Sequence, residues 1–418
     1  MAKHITHEDR TSTWMADTAG DTWIVAADAK FSMTNAYGFS DKYYDGTIVR
    51  VEGQIKVAGA GFSAVLLEAD GSKVVFGENA RIDVRNANGA VQGNGDNLDI
   101  VNHGLIKAGV YGIVANNGGT IVNDGEIRGI GGILTHVQAG DGTAIRNAGL
   151  IDVSGIGVTA YGTAGEFSSV VNARGGVIRA DDIGVNFGSD GASKLVNRGL
   201  IDSDSAVSGG NGVTTLVNKS EIVGDIDLGA GNDVLDLRGG TFLGQARGGA
   251  GSDIYKVSGA SVDLAEEFGG GNDTVLSSGR FTLGDNFEIL RLIGDRDVNG
   301  RGNGLSNIVT GNKGDNRLFG MDGMDQLSGG KGNDSLEGGS GADTFLFATG
   351  FGKDVITDFT SHSDKIDLSG WAGVDSYADL ILTHMKVVGE DIVFRNGGDS
   401  LRLRNVDINE LDSADFIF

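Results

Sequence analysis

The chain has 418 residues, no cysteine, no proline and 72 glycines, more than twice the usual glycine share of roughly 7%. Its formal net charge of −24 argues against nucleic acid as a partner and favours cations. The missing cysteines exclude disulfides and thiolate chemistry, and no apolar run approaches the roughly 18 residues that a membrane span requires.

Residues 1–45 show no internal repeat. They contain Trp14, Trp23 and the tyrosine-rich stretch AYGFSDKYYDG, and we expect them to form an N-terminal cap that covers the edge of a repeat array. The first ten residues, MAKHITHEDR, lack the pattern of a cleaved signal peptide. The protein is therefore expected to be cytoplasmic or to be exported on another signal.

Residues 46–223 carry a repeat whose anchor reads VNHGLI, VNDGEI, RNAGLI, VNARGGVI, VNRGLI and VNKSEI. A period of 21–25 residues with two or three short strands is typical of one coil of a parallel β-helix, which we expect to be right-handed. The repeated asparagine is predicted to stack at one corner and to bond with its neighbours. The anchor asparagines are Asn102, Asn123, Asn147, Asn172, Asn197 and Asn218, and GENARI adds an earlier copy with Asn79.

The residue that follows the inward isoleucine of each coil is charged. Nearly every neighbour along this row has the opposite charge, which predicts an outward-facing ladder of ion pairs worth tenths of a kcal/mol each. The row comprises Lys56, Asp83, Lys107, Arg128, Asp152, Arg179 and Asp202.

Residues 224–301 contain three glycine-rich turns, LGAGNDVLD, GGAGSDIYK and FGGGNDTVL. Their aspartates are 20 residues apart, close to one helix coil, so we expect the turns to stack along a single corner with metal between them. The predicted metal residues here are Gly229, Gly231, Asp233, Gly249, Gly251, Asp253, Gly269, Gly271 and Asp273. Residues 277–301 are expected to be a connecting coil.

Residues 302–346 divide into five consecutive nonapeptides, GNGLSNIVT, GNKGDNRLF, GMDGMDQLS, GGKGNDSLE and GGSGADTFL. The glycines of G-G-x-G-x-D can adopt backbone conformations that point carbonyl oxygens inward, and the aspartate adds a carboxylate. Calcium takes six to eight such oxygens at about 2.3–2.6 Å. The apolar residue at position eight is expected to be buried in a short strand.

Two nonapeptides make one coil of a roll, so turns 18 residues apart should stack with a calcium ion between them. Asp325 is expected to pair with Asp343, and Asp334 to pair with the loop of Asp315 and Asn316 on one side and with Asp354 on the other. Asn307 and Asn316 stand where later repeats have aspartate, which predicts weaker or absent metal at that end. The predicted metal residues of the roll, 302–358, are Gly314, Asp315, Asn316, Asp322, Gly323, Asp325, Gly330, Gly332, Asn333, Asp334, Gly339, Gly341, Asp343 and Asp354.

The nonapeptides resemble those of the RTX, or hemolysin-type, calcium-binding family. DVITDFTSHSDKIDLSG after the last repeat and LDSADFIF at the C-terminus also resemble the corresponding segments of that family. The resemblance implies several bound Ca²⁺ ions, export by a type I secretion apparatus and folding outside the cell. Residues 359–418 are expected to form a β-rich cap with an uncleaved secretion signal. The fold is thus predicted to be all-β, a parallel β-helix continuing into an RTX β-roll.

The sequence favours a secreted, non-enzymatic protein of the cell surface or matrix, such as an adhesin, coat or biofilm component. No H-E-x-x-H zinc motif occurs. One alternative is a polysaccharide-active lyase or C5-epimerase, which would need an acid, a base and a cation on neighbouring coils. Another is a calcium-dependent array or filament. Expected partners besides calcium are a cell-surface glycan or further copies of the chain, with no nucleic acid.

Overall fold

The structure is a computed structural model and describes residues 2–86, 89–136, 142–188 and 190–418, without the side chain of His136. The chain divides into two compact units, Met1–Gly248 (unit 1) and Gly249–Phe418 (unit 2). Each is a parallel β-solenoid, as predicted. Within the described ranges, no helix has the length and apolar character that a membrane crossing requires.

Unit 1 is built from three ladders of parallel strands, and each coil gives one strand to a ladder. The first ladder comprises Lys3–Thr6, Thr22–Val25, Ile48–Val51, Lys73–Phe76, the ends of Gly89–Asn102 and Leu105–Asn123, and then Thr143–Asn147, Phe167–Asn172, Ala192–Asn197, Thr214–Asn218 and Val234–Asp236. The repeat length predicts two or three strands per coil, and unit 1 has three.

The other two ladders follow in chain order within each coil. The second comprises Lys30–Met33, Gln54–Val57, Arg81–Val84, the starts of Leu105–Asn123 and Glu126–His136, Leu150–Val153, Val177–Ala180, the starts of Leu200–Ser208 and Glu221–Asp227, and Thr241–Leu243. The third comprises Trp14–Met15, Phe39–Ser40, Val65–Leu67, further parts of those long strands, Ile156–Tyr161, Ile183–Asn186 and Gln245–Arg247.

An in-register parallel ladder places the same strand position of every coil on the same side, and alternation along each strand then separates core from surface. In the second ladder the inward position is isoleucine in eight successive coils, each at most 1% exposed. Burying one such side chain is worth about 1.5–3 kcal/mol relative to leaving it in water. The stack comprises Ile55, Ile82, Ile106, Ile127, Ile151, Ile178, Ile201 and Ile222.

The predicted charge row lies beside this isoleucine stack, and its register is confirmed. Asp83 is the strand partner of both Lys56 and Lys107. Further along, Arg128 Nη1 lies 2.9 Å from Asp152 Oδ2, and Arg179 Nε lies 3.3 Å from Asp202 Oδ2. These side chains are half exposed, so each pair contributes little to stability.

The predicted asparagine ladder is also confirmed. All six anchors from Asn102 to Asn218 are buried, and each amide donates to the side-chain oxygen of the next at 2.8–3.0 Å. Asn79 is wrong as an earlier member, because it is exposed and the strand partner of Asn102 is Phe76. Coils before residue 89 therefore fill this corner without an amide ladder.

Residues 1–45 do not form an element separate from the coils. Lys3–Thr6 and Thr22–Val25 belong to the first ladder, so the expected boundary at residue 45 coincides with no change in strand pairing. An aromatic cluster packs between these coils. The ring centroid of Trp14 lies 5.1 Å from that of Trp23 and 6.2 Å from that of Phe39. The sequence did not predict these coils because aromatic residues stand where later coils have the repeated isoleucine.

Unit 2 has two parallel ladders that face each other. One comprises Ile254–Val257, Thr274–Ser277, Ile289–Leu292, Ile308–Thr310, Gln326–Ser328, Thr344–Ala348, Lys365–Gly370 and Phe416–Ile417. The other comprises Phe281–Thr282, Asn299–Arg301, Arg317–Asp322, Ser335–Ser340, Lys353–Ile356 and Asp399–Leu403. Asp391–Asn396 and Met385–Val388 extend the second ladder as antiparallel strands.

The two-ladder roll begins earlier than the predicted boundary at residue 302. Phe281–Thr282 pairs with Asn299–Arg301, so residues 277–301 form the first coil of the roll and not a connecting coil. The remaining elements of unit 2 are the strand Asp263–Leu264, the helical turns Tyr377–Asp379 and Leu380–His384, and the 3₁₀ turns Ile408–Glu410 and Ser413–Asp415.

Candidate metal centre

The turns of the roll have the backbone conformations that glycine allows. Gly330 and Gly332 have φ of 93° and 123°, and Gly339 and Gly341 have φ of 102° and 141°. Side-chain-bearing residues rarely adopt such values. In the turn before these, Met321 occupies the place of the second glycine and still has φ of 99°.

Aspartates 18 residues apart stack at one edge of the roll. The backbone N–H of Asn307 donates to Asp325 Oδ1 at 2.7 Å, and that of Asp325 donates to Asp343 Oδ1 at 2.9 Å. Asp343 in turn donates its N–H to Asp364 Oδ1 at 3.1 Å. This is the pairing of turn i with turn i+2 that the spacing predicts.

The opposite edge repeats the arrangement with the other set of turns. The N–H of Asn316 donates to Asp334 Oδ1 at 2.7 Å, and the N–H of Asp334 donates to Asp354 Oδ1 at 2.9 Å. Asp334 thus lies between the loop of Asp315 and Asn316 and the side chain of Asp354, as expected.

Four of these aspartates use only one carboxylate oxygen for hydrogen bonding within the described atoms. The Oδ2 atoms of Asp325, Asp334, Asp343 and Asp354 are buried and have no hydrogen-bond partner there. The first glycine of a turn leaves the room for this oxygen: a Cβ on Gly320, Gly329 or Gly338 would lie 2.2–2.3 Å from the Oδ2 of the aspartate five residues later. Buried acceptors without donors are costly, so each turn presents an oxygen that needs a partner.

Burial and mutual repulsion disfavour the ionised form of these carboxyl groups. Desolvation raises the pKa of Asp325 and of Asp334 to about 6 and that of Asp354 to about 8, and neighbouring aspartates add to each shift. The same causes raise the pKa of Asp343 and Asp364. Without a counter-ion, the columns are therefore under electrostatic strain near neutral pH.

The first two turns of the roll are satisfied by the protein itself. The side-chain oxygen of Asn307 accepts from the N–H of Asn303, and its amide donates to Phe287 O. The side-chain oxygen of Asn316 accepts from the N–H of Asn312. Asn307 and Asn316 therefore add no carboxylate oxygen to their turns, and weaker metal binding at that end stays a prediction.

The three earlier turns have the same glycine geometry, with positive φ at Gly229, Gly231, Gly249, Gly251, Gly269 and Gly271. In unit 1, the N–H of Thr214 donates to Asp233 Oδ1 at 2.6 Å. In unit 2, the N–H of Asp253 donates to Asp273 Oδ1 at 2.8 Å, so these two turns stack at one corner as the 20-residue spacing predicts.

Sequence reasoning missed five carboxylates that meet these columns. Glu288 accepts from the N–H of Asp273, Asp358 from Gly338 and Gly339, and Asp399 from Gly350 and Gly352. Asp364 lies under Asp343, and Glu266 lies beside Asp253 and Asp273. None of them occupies the last position of a G-G-x-G-x-D turn, so no periodic signal could find them.

The donor set fits a hard cation. It consists of carboxylate and backbone oxygens, without the nitrogen and sulfur ligands that transition metals prefer. Calcium bound here would be held by the unpartnered Oδ2 atoms of the aspartates and would supply the positive charge that their burial requires.

The family comparison agrees with this chemistry. Residues 301–334 and 319–354 match the family model of the RTX calcium-binding nonapeptide repeat, in four copies. No curated protein matches. The chain is similar to the solution structure of the AlgE6R3 subunit of the Azotobacter vinelandii mannuronan C5-epimerase, with 28% identity, a TM-score of 0.26, and coverage of 30% of this chain and 79% of that chain.

It is also similar to the crystal structure of the extracellular lipase LipA from Serratia marcescens, with 15% identity and a TM-score of 0.20. That alignment covers 62% of this chain and 42% of the lipase. The family match and the stacked turns together identify residues 301–354 as RTX calcium-binding nonapeptide repeats, carried on a parallel β-solenoid.

Proposed function

We propose that this chain is a secreted, non-enzymatic calcium-binding protein of the bacterial cell surface or extracellular matrix, and that calcium drives the folding of unit 2 after export. The observation that carries the proposal is the pair of aspartate columns, whose buried Oδ2 atoms have no hydrogen-bond partner in the described structure. A fold that needs a cation at these positions is stable only where that cation is abundant.

The cell interior and exterior differ in this respect. Extracellular calcium modules bind with dissociation constants of about 10⁻⁴–10⁻³ M, far above the calcium level inside a cell. The columns would remain uncompensated before export, which suits passage of an unfolded chain through a type I secretion apparatus. The nonapeptides and the C-terminal LDSADFIF support this route.

A structural role for unit 1 is supported by its regular surface. The charge row pairs acids with bases between coils, as Arg128 does with Asp152. Such a surface suits adhesion or coating through a cell-surface glycan or a further copy of the chain, and it provides a rigid support for whatever segment makes the contact.

The test is calcium-dependent folding followed by circular dichroism. The double variant Asp334→Asn and Asp343→Asn keeps side-chain size and removes one carboxylate from each column. We expect it to raise the calcium concentration needed for folding by at least about tenfold, because ligand charge sets affinity. The matched control is Asp152→Asn with Asp375→Asn, which removes the same charge from exposed or half-exposed positions.

Two results would contradict the proposal. One is wild-type protein whose β signal and melting temperature are the same in calcium and in EGTA. The other is a control pair that shifts the calcium requirement as far as the column pair does, since net charge alone would then account for the effect.

A second candidate function, a polysaccharide-active enzyme, is favoured by one cleft on unit 1. His103 Nδ1 lies 3.6 Å from Asp124 Oδ2, and Arg146 Nη1 lies 2.7 Å from Asp124 Oδ1. Glu78 and Glu126 line the same cleft. A base, an acid and a cation on neighbouring coils are what proton abstraction from a uronate requires.

The experiment for this candidate is an assay on uronate polymers such as alginate or pectin, read out as unsaturated product or as altered uronate composition. Activity that disappears in His103→Ala but persists in His362→Ala, a change of a histidine in unit 2, would establish the enzyme. Inactivity of folded, calcium-loaded protein on these polymers would remove it.

A further inference from the structure

Three carboxylates meet at one corner of unit 2, and one of them lies outside the glycine-rich turns. Asp253 and Asp273 end two turns, whereas Glu266 lies in the connection between them. Their side chains are 0%, 0% and 8% exposed, and one oxygen of each lies within 4.8 Å of the others. Among the described residues, this is the one group of three such ligands found that close together.

The surrounding residues hold Glu266 in this position. The Tyr255 hydroxyl donates to Glu266 Oε1, and the N–H of Gly249 donates to Oε2 at 3.4 Å. The Tyr255 ring packs edge-on against Phe287, with 5.3 Å between the centroids. Asn286 donates to the backbone oxygen of Glu266 at 2.9 Å. The glutamate is therefore fixed from both its backbone and its carboxylate.

Asp273 supplies a second observation that points to a ligand. Its Oδ1 accepts the N–H of Asp253, whereas its fully buried Oδ2 has no hydrogen-bond partner among the described atoms. The group also lies beside Glu288, whose carboxylate accepts the N–H of Asp273. An acceptor oxygen buried among further acids needs a cation, because no donor satisfies it.

The spacing of the three carboxylates fits calcium. Two oxygens bound to one ion at about 2.4 Å are at most about 4.8 Å apart, and these three meet that limit. Magnesium demands shorter, strictly octahedral contacts and keeps several waters, which suits a buried corner less well.

We propose that Glu266 joins Asp253 and Asp273, which end two glycine-rich turns, in one calcium site outside the roll, and that this site binds calcium more tightly than the turns of the roll. Three carboxylates hold the ion here, whereas a roll site is built from the Oδ2 atoms of aspartates in stacked turns. Affinity rises with ligand charge, and among the described residues three carboxylates approach one another this closely at this corner alone. The site therefore fills first as calcium rises. The proposal shares with the proposed function only the choice of calcium as the ion.

Because Tyr255 contacts Glu266, metal binding at this site can be measured by luminescence in the full-length protein. Terbium is a hard ion of about the size of calcium, and its luminescence is sensitised by a tyrosine at short range. We expect a tyrosine-sensitised signal at the lowest terbium concentrations, competed by calcium. Tyr255→Phe should remove this component and leave the β structure in saturating calcium unchanged.

Glu266→Gln tests the third carboxylate and Glu267→Gln is its control, since Glu267 is the adjacent and exposed glutamate. We expect Glu266→Gln to weaken the Tyr255-dependent terbium affinity by at least about tenfold and Glu267→Gln to leave it unchanged. The site is refuted if the early signal survives in Tyr255→Phe, or if both glutamine variants bind terbium as the wild type does.

A roll variant separates this site from the proposed function. Asp325→Asn should leave the early terbium signal intact while raising the calcium requirement for folding of the roll. If Asp325→Asn and Glu266→Gln weaken the early signal equally, the signal comes from the roll and the separate site is wrong. The dependence of folding on the roll aspartates is tested independently, by the circular dichroism experiment with Asp334→Asn and Asp343→Asn.

Discussion

Each interior asparagine of the corner ladder makes hydrogen bonds to the coil before it and to the coil after it. Asn147 accepts from the amide of Asn123 at 2.8 Å and donates to the side-chain oxygen of Asn172 at 3.0 Å and to the backbone of Gly149 and Val177. Replacing one member leaves two buried neighbours each short of a partner.

Asn147→Ala should therefore lower the free energy of unfolding of unit 1 by about 2–4 kcal/mol, the cost of two unsatisfied buried polar groups. Urea unfolding in saturating calcium measures it. Asn211→Ala is the control: Asn211 is exposed and donates to Asp190, and its loss should stay within about 0.5 kcal/mol. Equal effects of the two variants would show that the ladder adds no stability of its own.

Met321 is strained by the turn it occupies. Its φ of 99° matches that of Gly339, its strand partner in the next turn at the same edge, which has φ of 102°. A side chain at such a φ costs about 1–3 kcal/mol of backbone strain, which a glycine would relieve. Glycine also increases the conformational entropy of the unfolded chain, and this offsets part of the relief.

Met321→Gly is accordingly expected to stabilise unit 2 by about 1 kcal/mol in saturating calcium, although it removes the contact of the Met321 sulfur with Arg301. Thermal unfolding measures this, and Met324→Gly, at an exposed position without positive φ, should destabilise. A lower melting temperature for Met321→Gly would mean that the side-chain contact outweighs the backbone strain.

Sequence reasoning found the residues that recur with a period and missed those that do not. The asparagine ladder and the stacked pair Asp325–Asp343 follow from spacings that equal one coil. Glu266 reaches the corner of Asp253 and Asp273 from a connection, and Asp399 accepts from Gly352 from within the C-terminal hairpin. Neither position recurs with the repeat, so the sequence spacing does not indicate its register. Such residues become visible only when the coils are stacked.

At the scale of elements, the turns at the two edges make the roll sensitive to pH. Burial raises the pKa of Asp325 and Asp334 to about 6, of Asp273 to about 7 and of Asp354 to about 8. An unfolded aspartate has a pKa of about 3.9, so the calcium-free folded form binds more protons than the unfolded form between these values. The stability that these protonated groups contribute to calcium-free unit 2 is then fully present below about pH 4 and is lost as pH rises through 6–8.

We therefore expect the melting temperature of unit 2 in calcium-free buffer to fall between pH 5 and pH 8, and the calcium affinity to rise over the same interval because protons compete with the ion. Asp354→Asn removes the group with the highest pKa and should flatten the upper part of the profile. A calcium-free stability that rises with pH would show that these carboxylates are not protonated in the folded chain.

The repeat length predicted the coils but not where the architecture changes. Isoleucine at one position per period indicated the second ladder of unit 1, and the nine-residue repeats indicated the roll. The start of the roll near Phe281 was hidden because its first coil has no G-G-x-G-x-D turn, only the contacts of strands Phe281–Thr282 and Ile289–Leu292. The coils before residue 45 were not predicted either, because aromatic residues replace the repeated isoleucine and asparagine there.

At the scale of the whole molecule, the two units hold their coils together by different means. Most coils of unit 1 rely on the isoleucine stack, the buried asparagines and half-exposed ion pairs, and its one predicted metal turn ends in Asp233, near the end of the unit. Unit 2 stacks buried carboxylates such as Asp334 and Asp354, whose repulsion must be offset. Calcium removal should thus affect the two units unequally.

Hydrogen exchange in calcium and in EGTA tests this difference. In EGTA we expect the amides of Ile151 and Ile178 to keep their protection and those of Leu318, Leu336 and Phe345 to lose it. Calcium at 100 times its dissociation constant adds about 2.7 kcal/mol per site, and all the predicted metal turns except the one that ends in Asp233 lie in unit 2. Magnesium at the same concentration should not restore protection. Equal loss of protection in both units would mean that the helix coils depend on the roll for their stability, and that calcium controls the folding of the entire chain.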